Sequence, residues 1–152
     1  MIIKHKVLAF CFAILIPLTC CLGFQLLDSG DLINRFSKAT DIQKKEIISE
    51  VFGQETVGGG VVANADEYNF FDEKKDLTAK YYRVTTLPQK TDAGVKYELI
   101  FLFKDRLTVE SLTKGENIEF AGNIVKLVDQ RLQIDLWLYC AEITPQEEEL
   151  FK

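Results

Sequence analysis

"LTKGENIEFAGNIV", residues 112–125, joins a Lys-Gly-Glu turn to a run of alternating character with a glycine inside it. Gly115 predicts a sharp turn, since glycine enters positive φ without steric cost. Ile118 and Phe120 then point to one side of an extended segment, the period of two that marks a half-buried strand. Gly122 predicts a bend before the strand resumes at Ile124. A strand built this way suits a sheet that coils and closes on itself.

The same period holds on both sides of this stretch. "ETVGGGVVANADEYNFF" (55–71) reads as a first strand, "AKYYRVTTL" (79–87) as a second and "VKYELIFLF" (95–103) as a third. Pro88 to Gly94 forms the turn between the last two, so residues 80–103 read as a long hairpin. "KDRLTVESLT" (104–113) has room for one helical turn. The final strand, "RLQIDLWLYC" (131–140), places Leu132, Ile134, Leu136, Leu138 and Cys140 inward, with Trp137 and Tyr139 outward. Two short helices precede the strands. Ser29 and Asp31 open the first, and Thr40 with Gln43 forms a capping box for the second, which runs to about Phe52 and stops at Gly53. The expected layout is short helices over residues 25–53, a barrel over 54–143 and a polar, Glu-rich tail over 144–152.

Five strands, a helical piece after the third, and glycine-coiled first and fourth strands resemble the OB-fold, a five-stranded Greek-key barrel. Lys114-Gly115-Glu116, followed by Ile118, Phe120, Gly122 and Ile124, looks like the fourth strand of exported bacterial OB-fold proteins, lipoproteins among them, of the tRNA-anticodon-like type. Thr40, Gln43 and "FGQETVGGGVV" (52–62) look like that group's entry into strand one, with three glycines where the group has one. The resemblance spans residues 40–143 and implies a mainly β barrel; its short glycine motifs imply no ligand.

The N-terminus carries an address. Lys4, His5 and Lys6 precede an uncharged run from Val7 to Phe24 that Pro17 interrupts, the pattern of an export signal over residues 1–23. Leu18-Thr19-Cys20-Cys21 resembles a bacterial lipobox, which implies lipid attachment at Cys21, with Cys20 as the other candidate. Ordinary cleavage after Gly23 and a retained signal anchor are the alternatives. Each expectation puts the body of the chain outside the cytosol, in the cell envelope and facing the periplasm or exterior. Cys140 is then the one cysteine of the body, so stability must come from a hydrophobic core; it reads as a small buried residue, with a bridge to Cys20 or Cys21 as the alternative.

Without the signal, basic residues fall from 18 to 16 against 23 acids, a net charge of −7 and a poor complement to a polyanion. OB-fold ligands cross strands two and three. Lys80, Arg83, Lys96, Tyr82 (or Tyr81) and Tyr97 lie on that hairpin as a possible ligand face, with the bland reading a solvated surface. Trp137 and Tyr139 either join such a face or lie beneath the N-terminal helices. The single histidine, His5, lies in the signal, so the body lacks the usual general acid–base and zinc residue. Ser111 and Lys114 have Ser-x-x-Lys spacing, yet Gly115 ends any helix there. Asp66, Glu67, Asp72, Glu73 and Asp76 lack calcium-loop spacing, and "GGG" lacks a phosphate-loop Lys. No cofactor is expected. The expected function is a non-enzymatic, membrane-anchored envelope protein that binds another envelope protein or a glycan; the alternative is a single-stranded nucleic-acid binder using the weakly basic hairpin.

Overall fold

The computed structural model describes residues 27–72 and 74–152. The export signal and Cys21 lie outside the described residues. Helices α1 (Ser29–Ser37) and α2 (Asp41–Val51) come first. Strands β1 (Glu55–Asp72), β2 (Leu77–Thr86), β3 (Gln89–Lys90) and β4 (Lys96–Phe103) follow, then helix α3 (Arg106–Glu110). Strands β5 (Asn117–Asp129) and β6 (Ile134–Tyr139) and helix α4 (Pro145–Phe151) complete the order.

β1 has 18 residues, and its two halves serve different neighbours. Glu55 to Val61 pair antiparallel with β5, whereas Val62 to Asp72 pair with β2. The Gly58–Gly60 run lies immediately before the switch of partner. β5 pairs antiparallel with β6, β6 runs parallel to β4, and β4 returns antiparallel to β2. That last pairing closes the ring. Five strands in this order, with one parallel contact, form an OB barrel. The two-residue β3 is an appendage on β4.

The opening stretch behaves as a turn and a strand, with one difference. Gly115 holds φ of +89°. β5 then runs unbroken through Gly122, where an added Cβ would sit 3.1 Å from both Leu138 Cβ and the Tyr139 carbonyl oxygen. That glycine permits a close approach of β5 to β6. The irregularity comes three residues later, where the register shifts between Ile124 and Lys126 and Val125 is the extra residue.

The barrel interior is filled by Val62, Val84, Leu99, Phe101, Ile124, Leu136 and Leu138, and α1 and α2 add Leu32, Ile33, Phe36, Ile47 and Val51 to the same cluster. A second cluster lies on the outside of the barrel. Tyr81, Leu102, Val125 and Tyr139 are buried there, with Phe70, Trp137 and Phe151 packed around them. Three expectations need correction at this point. Residues 144–152 form a capped helix with Leu150 buried, not a polar tail, because Thr144 and Glu147 make a reciprocal capping box with Pro145 in the first turn. Trp137 and Tyr139 do face outward, but α4 covers that side, while α1 and α2 join the interior cluster. Leu132 is 86% exposed, since β6 begins only at Ile134 and residues 130–133 make a tight turn with Arg131 at φ +69°.

Candidate ligand face

Alternation along β2 decides which side chains can cooperate. Lys80, Tyr82 and Val84 share one side; Tyr81 and Arg83 share the other with Leu102 of β4 and Tyr139 of β6, as the strand registers require. The expected face therefore splits. Tyr97 follows the interior side with Leu99 and Phe101, is half-buried, and reaches Gln89 Oε1 with its hydroxyl at 3.4 Å. Burial, then the charge of Asp28, pushes that hydroxyl up from its ordinary pKa. Lys96 is exposed at the start of β4 and paired in register with Lys90. Tyr139 is fully buried and is removed from any accessible face.

The hairpin cations are answered by β1. Arg83 makes a two-pronged contact with Asp66, Nε at 2.9 Å and Nη2 at 2.7 Å. Lys80 pairs with Glu67 at 2.9 Å and lies 5.6 Å from the Tyr82 ring. A shallow cavity of about 300 Å³ beside Tyr82 is walled by Asp66, Glu67, Arg106 and Glu110, with Arg106 and Glu110 paired at 2.6 Å. The weakly basic character read from the hairpin alone is largely offset on the surface, because Asp66 and Glu67 of the neighbouring strand pair with Arg83 and Lys80.

On the outer side a different arrangement forms. The Arg83 guanidinium lies 5.1 Å over Tyr68, Tyr68 and Trp137 are tilted at 5.5 Å, and Lys126 Nζ lies 5.7 Å over Trp137. Each cation-aromatic contact of this kind contributes about 0.5–1 kcal/mol at an exposed site. Next to this row is a cleft of about 60 Å³, with Tyr68, Phe70, Trp137, Lys126 and Phe151 around a floor of Leu102 and Val125. The indole Nε1 of Trp137 is buried with no acceptor among the described residues. A buried donor in that state costs roughly 1–3 kcal/mol until something accepts from it.

α4 forms one wall of the cleft through Phe151, which packs on rings from β1, β2 and β6. Phe151 sits 5.8 Å from Tyr81, 5.5 Å from Tyr139 and 6.3 Å from Phe70, ring to ring. Glu147, only 3% exposed, accepts from Tyr139 Oη at 2.6 Å and from Tyr81 Oη at 3.4 Å and pairs with Lys104 Nζ at 2.7 Å. Burial alone would raise its carboxyl, but donation by Lys104, Tyr139 and Thr144 outweighs that and holds its pKa at about 2. Burial and the Glu147 carboxylate push both tyrosine hydroxyls well above their ordinary range. Burial also pushes the Cys140 thiol up to about 12, the behaviour of an unreactive thiol.

Tyr68, Lys126 and Phe151 were not singled out from the sequence. Tyr68 and Phe70 follow the i, i+2 pattern of one strand face, and Thr144-Pro145-Gln146-Glu147 is a helix-start signature, so the signals for two of the three were present. Among the described residues, no helix is long and apolar enough to cross a membrane, and no group of three or more His, Cys, Asp or Glu side chains is gathered as for a metal.

The chain matches no protein-family profile and no curated protein sequence. It is similar to a solved structure from Klebsiella pneumoniae, provisionally named a nucleic acid-binding lipoprotein, at 17% identity and a TM-score of 0.45, covering 74% of this chain and 87% of that one. It is also similar to the SSB domain of a Synechococcus protein, at 7% identity and a TM-score of 0.31, covering 55% of this chain and 88% of that one.

Proposed function

We propose that this protein is a non-enzymatic OB-fold binding module, exported by residues 1–23, tethered to a membrane through Cys21, and engaged with another envelope protein or a glycan. The observation that carries the choice of partner is the pairing of Arg83 with Asp66 and of Lys80 with Glu67. A nucleic-acid groove needs cations free to replace the counterions of phosphates. Here Lys80 and Arg83, two of the four cations on residues 80–103, already hold carboxylates, and the mature chain is acidic overall. Aromatic surface is available instead at Tyr68 and Trp137, which suits the apolar face of a sugar ring or a peptide side chain.

Metabolic labelling with a fatty acid tests the tether. Label in the wild-type protein and none in Cys21→Ser is the expected result, and equal label in both rejects that attachment. Capture from a crosslinked envelope extract with the full-length chain tests the partner, and an enriched envelope protein or glycan is expected. Tight, salt-dependent retention of a short single strand would instead establish the nucleic-acid reading.

A further inference from the structure

The cleft beside α4 is rich in hydrogen-bond donors. Its lining residues carry three polar groups without a partner among the described residues, the Trp137 indole N–H, the Lys126 ammonium and the Tyr68 hydroxyl; no carboxylate among the described residues lies within ion-pair distance of Lys126. The other cation of the row, Arg83, is already held by Asp66. The remaining lining is the Tyr68 ring and the hydrocarbon surfaces of Phe70, Leu102, Val125 and Phe151. A fitting occupant must bring acceptors, carry negative charge near Lys126, and otherwise be apolar. Size narrows it further: 60 Å³ holds about four to six waters at 10–15 Å³ each. That matches a carboxylate on one or two carbons.

From this geometry we infer that the Trp137–Lys126 cleft is a site for a small aliphatic carboxylate, supplied either as the free C-terminal end of a peptide with a small apolar last residue or as a short free acid. One carboxylate oxygen accepts from Trp137 Nε1–H, the charge lies under Lys126, and the alkyl group rests on Phe70 and Phe151. The indole is the polar hand of the site and the ammonium sets the sign of its ligand. This deepens the proposed binding role by naming the chemistry that one of its sites takes.

Trp137 is the only tryptophan of the chain, so its fluorescence reports on this cleft alone. The full-length protein is titrated with propionate, with N-acetyl-Ala-Ala bearing a free carboxylate, and with the same dipeptide as its C-terminal amide. A saturable change in emission with the free-carboxylate dipeptide and none with its amide is the expected result. Propionate matching the dipeptide assigns the site to free acids; a clear preference for the dipeptide assigns it to chain ends. Calorimetry on Lys126→Gln and on Trp137→Phe, which keeps an aromatic ring and removes the N–H, should show binding about 10- to 100-fold weaker in each. An equal response to acid and amide, unchanged affinity in both variants, or no saturable response at tens of millimolar ligand overturns the inference. Any of these leaves the envelope-capture result standing, so the two readings fail separately.

Discussion

The barrel buries apolar surface twice, and the two places are built from different chemistry. Every buried member of the interior cluster is a hydrocarbon side chain, closed over by α1 and α2. The outer cluster mixes the hydrocarbon of Leu102 and Val125 with the aromatic rings of Tyr81, Tyr139, Trp137 and Phe151, and its two buried tyrosine hydroxyls are clasped by one ionised carboxylate, Glu147. Hydrocarbon burial has no direction and does not respond to pH. An aromatic surface held by hydroxyl-to-carboxylate bonds is directional and titrates. The interior is therefore expected to carry most of the stability of the domain, and the outer face to open first.

The largest effect expected from this contrast is Phe101→Ala. Phe101 is fully buried inside the barrel and stacks edge-on with Phe120 at 5.4 Å, so its loss should lower global stability by about 3–5 kcal/mol. A single cooperative shift in the denaturant midpoint is the measurement.

Glu147→Ala should come next, at about 1–3 kcal/mol, because it leaves the buried Tyr139 hydroxyl without its acceptor. Its signature is local: amide exchange should accelerate through α4 while β4 and β6 stay protected. Uniform acceleration across the barrel would erase the distinction between the two regions.

Acid should act on the same latch. The folded pKa of Glu147 is depressed, about 2 against an ordinary 4.5, so its contribution is complete above about 4.5 and is lost as pH falls toward 2. Trp137 emission should shift to the red in that window before the far-ultraviolet strand signal changes. Simultaneous loss of both signals would mean that α4 and the barrel form one cooperative unit.

The smallest effect belongs to Arg35→Ala. Its pair with Glu50 joins α1 to α2 but is open to water, so no measurable change in the midpoint is expected.

Much of the architecture was legible because it rests on local chemistry. Thr40 and Gln43 cap α2 as their spacing requires, and both contacts are present. The strands follow the period of two, and Gly115 turns where positive φ is needed. α4 was also local, yet its three glutamates masked a capping box and the Leu150 and Phe151 that follow it. The site was less legible. Lys80 and Arg83 read as free cations because their partners, Glu67 and Asp66, lie on another strand and depend on register. Tyr68 and Trp137 are 69 positions apart, and Lys126 reaches Trp137 only because a one-residue shift at Val125 sets β5 against β6.

Alternation, caps and turn glycines determined a mainly β chain of five principal strands behind two helices, since those signals act over a few residues and need no distant partner. Tertiary structure alone decided which charges cancel, which tyrosines disappear beneath α4, and where an indole N–H is left without an acceptor among the described residues. Those outcomes depend on register and on ring closure, which bring together residues with no local means of specifying one another.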